Sequence, residues 1–139
     1  MRDQLYYHVA WTTRDRKPSI DAAVARFLTR YLASVARQER TRIIELGIVS
    51  THVHMLIKTH ATTSIPRLLQ RFKGGSATLA NREGHASRDM LRWAKGYNIQ
   101  TVGPRQVESV RRYIHQQPLR HPLEAITGFD PATSLSATD

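Results

Sequence analysis

The stretch Thr51-His52-Val53-His54-Met55-Leu56-Ile57-Lys58 constrains this chain more than any other. Its β-branched and apolar content predicts a strand. Successive side chains on a strand point to opposite faces. His52, His54 and Leu56 therefore share one face, and Val53, Met55 and Ile57 share the other. The second set can bury against helices. The first sets two imidazoles side by side, which is half of a site for a divalent transition metal. A pair of surface histidines on an exposed sheet face is the competing reading, and this stretch alone does not separate the two.

The neighbouring segments supply a sheet for this strand. Residues 4–13 are aromatic and β-branched and predict a first strand. Leu5, Tyr7, Val9 and Trp11 take one face; Tyr6, His8, Ala10 and Thr12 take the other. His8 can approach the face of His52 and His54, although a plain sheet histidine explains it as well. Arg14-Asp15-Arg16-Lys17-Pro18 is a charged turn. Ser19 or Asp21 then caps a helix running to about Glu39. Val24, Phe27, Leu28, Tyr31, Leu32 and Val35 form a helical stripe, so this helix packs the sheet. Its arginines make a solvated face. Residues 41–49 predict a second strand, joined to the histidine strand through Ser50-Thr51 as an antiparallel hairpin.

A second helix opens with Ser64 as N-cap and Pro66 in its first turn. Gly74-Gly75 should weaken or bend it, or let a nucleic-acid backbone come close. Residues 81–92 are polar and read as a loop. Trp93 to Val102 reads as a short strand, with Trp93 and Tyr97 either stacking on bases or joining the core. A last helix runs from about Pro104 to Gln117, where Pro118 should stop it. Val107, Val110 and Ile114 form its buried stripe. Tyr113 and Gln117 are four apart and share a face beside that stripe. Tyr113 is then either a site residue or a half-buried tyrosine with a wet hydroxyl. Residues 132–139 are low in complexity and are expected to be mobile.

Charge decides the class of partner. The formal net charge is +10, and of the 21 basic residues only Lys17, Lys58, Lys73 and Lys95 are lysine. The remaining 17 are arginine, whose planar fork of donors matches phosphate. A small, arginine-rich basic domain points to nucleic acid. Arg14, Arg67, Arg71, Lys73 and Arg112 are the chosen phosphate contacts. With no cysteine, disulfides and thiolate metal sites are excluded. No apolar run is long enough to span a membrane, and no signal-peptide core follows the N-terminus. A cytoplasmic location is the expectation. At 139 residues the chain is expected to hold one domain.

Four landmarks in order carry a resemblance. They are Tyr7-His8-Val9-Ala10-Trp11-Thr12-Thr13, the Thr51-His52-Val53-His54 box, Trp93-Ala94-Lys95-Gly96-Tyr97, and Val110-Arg111-Arg112-Tyr113-Ile114-His115-Gln116-Gln117. The chain resembles a single-tyrosine HUH transposase of small bacterial insertion sequences, with REP-associated tyrosine transposases as close relatives. The resemblance covers roughly residues 5–118. It implies an α/β (α+β) fold, a mostly antiparallel sheet with helices packed on it, ferredoxin-like or RRM-like. It implies that His52, His54 and Gln117 bind Mg²⁺ or Mn²⁺ and that Tyr113 is the nucleophile. Gln116 competes with Gln117 for the ligand role, and the i+4 spacing from Tyr113 selects Gln117. The implied substrate is single-stranded DNA folded into hairpins. The implied assembly is a homodimer, in which the tyrosine helix of one subunit can complete the histidine site of the other, with Gly103-Pro104 as its hinge. Residues 1–122 are taken as the transposase domain and 123–139 as a C-terminal tail.

In the implied reaction a tyrosine attacks a phosphodiester, leaving a 5′-phosphotyrosine and a free 3′-OH. A phenol is a weak nucleophile at neutral pH and needs help, which a metal on the phosphate supplies. Imidazole suits Mn²⁺ better than Mg²⁺, so stronger activity is expected with Mn²⁺ at equal low concentration. Two other readings stay open: a metal-dependent single-strand nuclease, and a non-catalytic or domesticated nucleic-acid-binding relative.

Overall fold

The computed structural model describes residues 5–86 and 88–129. Residue 4 of the first strand and the low-complexity stretch 132–139 lie outside them. The strands are β1 (Leu5–Thr12), β2 (Arg42–Ile48), β3 (His52–Thr59) and β4 (Asn98–Val102). They form one sheet in the order β2-β3-β1-β4, with antiparallel pairing throughout. Helix α1 (Ala22–Gln38) joins β1 to β2, and a broken helix joins β3 to β4. This is the expected ferredoxin-like order.

The sheet is covered unequally on its two faces. Val9 and Trp11 of β1, and Val53, Met55 and Ile57 of β3, point into the main core. Val24, Leu28, Leu32 and Val35 of α1 meet them there, as the stripe requires. Asp21 caps α1, accepting the backbone N–H of Val24 at 3.0 Å. The opposite face holds a much smaller cluster of Leu56, Val102 and Ile114. That face carries the histidines.

β2 departs from simple alternation. Ile43 pairs with Ile57, but Glu45, not Ile44, pairs with Leu56. Ile44 is the extra residue of a β-bulge. The bulge returns Ile43 to the main core while Ile44 and Glu45 both turn to the histidine face.

Between β3 and β4 the chain differs from expectation in three places. Ser64 caps α2 (Ile65–Gln70) as read, but Gly74-Gly75 neither ends nor frays the helix. A single π turn, Arg71–Gly75, carries it into α3 (Ser76–Arg82). What approaches Gly75 is Tyr31, whose hydroxyl donates to the carbonyl of Arg71 at 3.0 Å. A Cβ at residue 75 would sit 1.8 Å from that hydroxyl oxygen. Glycine therefore makes room for a side chain that satisfies a carbonyl of the widened turn. Next, Asn81 and Arg82 belong to α3 rather than to a loop. The Asn81 amide accepts from the backbone N–H of Leu91 at 2.7 Å and donates to its carbonyl at 3.0 Å, closing the loop over a buried leucine. Last, β4 begins only at Asn98, and Trp93 makes an isolated bridge to Thr13. Trp93 packs edge-on against Trp11 and donates to Ser76 Oγ at 3.0 Å, so it serves the core.

The last helix is also two pieces. After a 3-10 turn at Pro104–Gln106, α4 runs Val107–His115 and stops at Gln116. α5 (Gln117–Arg120) follows, with Pro118 in its first turn, where a missing N–H is harmless. Pro118 therefore starts a helical turn instead of ending one. Among the described residues no helix is long and apolar enough to cross a membrane.

Candidate active site

β3 presents the pair as its alternation demands. His52 is buried and His54 half-buried, with ring centroids 5.0 Å apart. Helix α4 lies across this face, against β2 and β3. Ile114 is its fully buried anchor, and Val107 and Val110 flank it. The approach is close because Gly47, which faces His54 across the β2–β3 ladder, has no side chain. A Cβ there would stand 2.7 Å from the carbonyl oxygen of Ile114.

This docking brings the expected groups together. The Tyr113 ring lies 6.0 Å from the His54 ring and 6.0 Å from the His8 ring, edge-on to both. Gln117 is fully buried, and its Oε1 lies 3.1 Å from His52 Nε2. Gln117 Nε2 is buried with no hydrogen-bond partner. Gln116 is exposed at the helix break, so the spacing chose the glutamine that reaches a histidine. Among the described residues, no three His, Cys, Asp or Glu side chains form a metal cluster. The grouped donors are two imidazoles and an amide oxygen.

Hydrogen bonds orient both imidazoles. His8 Nε2 and His54 Nδ1 are 2.9 Å apart, so His8 is a partner of His54 and not a plain sheet histidine. The partner of His52 comes from beyond the motif region. The 3-10 turn Pro122–Glu124 folds back on the start of β3, and the Ser50 N–H donates to the Glu124 carbonyl at 2.8 Å. The Thr51 hydroxyl donates to Glu124 Oε1 at 2.9 Å and lies 3.0 Å from His52 Nδ1. Burial alone would raise the Glu124 carboxyl, but the Thr51 hydrogen bond and the Arg16 guanidinium hold it below its ordinary value. An ionised carboxylate only accepts, so the Thr51 proton goes to Glu124 and the His52 proton sits on Nδ1. His52 Nε2 then keeps its lone pair, facing Gln117.

Both imidazoles stay neutral. Burial lowers the pKa of His52. His54 is pushed down to about 3, first by burial and then by His52, His8 and His121 nearby. Neutral rings with free lone pairs are the form that binds a metal.

The bulge on β2 secures α4. Glu45, only 7% exposed, accepts from Arg111 Nη1 at 3.2 Å and lies 3.4 Å from His115 Nδ1. Arg111 also pairs with Glu108. A cation from α5 completes the surroundings of Tyr113: the Arg120 guanidinium stands 5.0 Å from its ring centre.

The proposed phosphate contacts are scattered. Arg112 is exposed on α4 beside Tyr113, and Arg14 is exposed in the turn after β1. Arg67 and Arg71 lie on the far helical layer, both paired with Glu39 at 3.2 and 2.9 Å. Lys73 donates to the carbonyls of Ala94 and Gly96 at 2.9 and 2.5 Å and so anchors the loop before β4. Sequence reasoning passed over Glu45, Arg120 and Glu124. Only Arg120 carried a signal, its helical spacing from the tyrosine.

Comparison with known proteins places the chain among the transposases. The family model described as "Transposase IS200 like" matches residues 1–117, and the chain belongs to that family. It is 23% identical over 115 residues to the transposases for insertion sequence element IS200 of Salmonella typhimurium and of Salmonella typhi. Each alignment covers 80% of this chain and 75% of the relative. Among solved structures it is similar to a Deinococcus radiodurans R1 protein described as a transposase. That match has a TM-score of 0.65 and 25% identity, over 84% of this chain and 93% of the other. A REP-associated tyrosine transposase bound to a REP hairpin shares the fold, with a TM-score of 0.63 and 11% identity over 87% and 70% of the two chains. The family assignment carries an enzymatic role in cutting and rejoining DNA.

Proposed function

We propose that this transposase cuts and rejoins single-stranded DNA at hairpin-marked ends through a 5′-phosphotyrosine on Tyr113, and that His52, His54 and Gln117 hold a divalent metal, Mg²⁺ or Mn²⁺. The observation that carries this reading is the pairing of His52 Nε2 with Gln117 Oε1 at 3.1 Å, one helical turn from a tyrosine whose ring stands 6.0 Å from that of His54. With this tautomer the two atoms face each other as acceptors, and together they would suit a divalent cation. Neighbouring ligands of an octahedral ion with bonds near ~2.1 Å are about 3 Å apart, which is the spacing here. His54 joins them when its Nδ1–H donates to His8 and leaves Nε2 bare. When bound, the metal polarises the scissile phosphate and offsets charge gathering on it.

The chain's own residues do the rest. Tyr113 Oη attacks phosphorus, the P–O3′ bond breaks, the phenolic proton passes to solvent, and the leaving 3′ oxygen takes a proton from solvent to become a hydroxyl. The phosphotyrosine keeps the bond energy, so a 3′-OH of another strand can reverse the step without ATP. Arg112 and Arg120, beside Tyr113 on the helices that cross the histidine face, provide charge for the flanking phosphates, and Arg14 adds to it from the turn after β1. Arg67, Arg71 and Lys73 would meet DNA only where it wraps to the helical layer. Residues 1–122 form the catalytic domain, acting as a homodimer in the cytoplasm. The 11%-identical neighbour that binds a REP hairpin supports hairpin DNA as the partner class.

The test is a denaturing gel after incubation with Mn²⁺ and hairpin oligonucleotides from the chain's own genomic flanks. A covalent protein–DNA band, mapped by peptide analysis to Tyr113, is expected. Cleavage without an adduct would favour the nuclease reading. Binding with neither would favour a non-catalytic module.

Metal binding has its own check. Glu124→Ala frees the His52 ring, and Mn²⁺ affinity measured by electron paramagnetic resonance is expected to fall about 10–100-fold. Thr51→Ser should bind as the wild type does, and Thr51→Val should bind as poorly as Glu124→Ala. Unchanged affinity in Glu124→Ala would remove the carboxylate from this role.

A further inference from the structure

Two adjoining cavities lie along the histidine face, of about 470 and 510 Å³. They share Ala10, His54 and Asn98, so together they form one trough over the sheet. Tyr113 lines only the first. The second runs past His52 to Arg16, Lys95 and Tyr97. We propose that this second cavity is a nucleotide subsite, holding the DNA residue that carries the leaving 3′ oxygen with its base stacked on Tyr97. The inference rests on the reading that Tyr113 attacks a phosphate held at the histidines.

The argument is geometric. In displacement at phosphorus the attacking and leaving oxygens stand roughly in line. Attack comes from the Tyr113 end of the trough. With the phosphate over His54, the leaving oxygen and its nucleotide point into the second cavity. The lining suits a nucleotide. Arg16 and Lys95 are cationic, and among the described residues no Asp or Glu lines this cavity. Tyr97 is 45% exposed, and its ring is open to solvent on the side of this cavity. Base stacking on such a ring tolerates any sequence, because every base has a π face.

The support beneath Tyr97 and Arg16 is firm. Lys73 ties down the Ala94 and Gly96 carbonyls, and the Ala94 N–H donates to Thr12 O at 2.9 Å. Asp15 and Arg16 hold φ of 56° and 51°, a left-handed backbone that non-glycine residues enter at a cost. Two such residues in succession at the rim of a cleft mark a turn held for more than connection. The Arg16 guanidinium is kept at the cavity edge by Glu124 at 3.4 Å.

The test uses the full chain and oligonucleotides with 2-aminopurine on one side or the other of the scissile phosphate, its position mapped from the adduct. In a Tyr113→Phe background, which keeps the DNA intact, the probe 5′ of that phosphate should be quenched on binding. Tyr97→Ala should lose the quench and Tyr97→Phe should keep it. With Tyr113 restored, Tyr97→Ala should slow adduct formation about 10-fold, and Tyr97→Phe should stay within about twofold. An abasic residue at the 5′ position should slow the wild type equally and Tyr97→Ala no further. A quench indifferent to Tyr97→Ala, or confined to the 3′ probe, overturns the subsite while the Tyr113 adduct stands. Absence of any Tyr113 adduct overturns the reading beneath it, and the subsite with it.

Discussion

Tyr113→Phe is expected to abolish the covalent protein–DNA band, a loss on the order of 10⁴-fold or more, with hairpin affinity within about twofold of wild type. The substitution removes one oxygen and leaves the ring. The edge-on contacts with His8 and His54 persist, and so does the Arg120 guanidinium over the ring. Neither the proposed metal ligands nor the seat of α4 on the sheet depends on the hydroxyl. Ser109 is the other hydroxyl side chain lining this cavity, and it already donates to the Gln106 carbonyl at 3.1 Å. An adduct that survives in Tyr113→Phe, on Ser109 or elsewhere, would take the nucleophile away from Tyr113. Gel quantification alongside an equilibrium binding curve at fixed salt separates the two effects, since phosphate contacts make affinity salt-dependent.

Gly47→Ala carries the second large effect. The added methyl would stand 2.7 Å from the Ile114 carbonyl oxygen and 2.9 Å from Ile114 Cγ2. A backbone oxygen inside a helix cannot swing aside alone, so α4 must lift from the sheet. Overpacking of this kind typically costs about 1–3 kcal/mol. Lifting also carries Tyr113 and Gln117 away from the histidines. A displacement near 1 Å is enough for roughly a 10²-fold fall in rate. Denaturant unfolding and adduct kinetics on the same preparation give both numbers. Lost stability with an unchanged adduct rate would show that a tyrosine helix seated on its own sheet is not the working arrangement. The nucleophile would then be acting on a partner's histidines.

The alternating pattern of β3 was enough to separate the faces of the sheet, and the α1 stripe was enough to say which face is covered. Both are local rules with fixed periods, so sequence carries them well. What was not legible depends on departures from period or on distance along the chain. Ile43 and Ile44 are alike in composition, and nothing in them marks which one is the bulge. Yet the bulge decides that Glu45 meets Arg111 and His115. The π turn at Arg71–Gly75 exists because Tyr31 fills it from 40 residues away. Glu124 meets Thr51 across 73 residues, from a stretch that resembled nothing. The i+4 rule picked out the glutamine that lies against His52, although the helix that justified it is interrupted at Gln116. The register survived because α5 resumes at once.

The unequal covering of the sheet has a consequence for how the molecule breathes. α4 has nine residues, too few to persist alone in water, and Ile114 is its one fully buried residue. On the opposite face, α1 and the α2–α3 unit share a continuous apolar interior with all the odd-numbered residues from Val53 to Ile57. Opening of the tyrosine helix therefore need not disturb that interior, and its amides are expected to exchange faster than those of β1 and β3. The proposed nucleophile rides on the thinly covered layer, while both imidazoles stay on a central strand of the sheet.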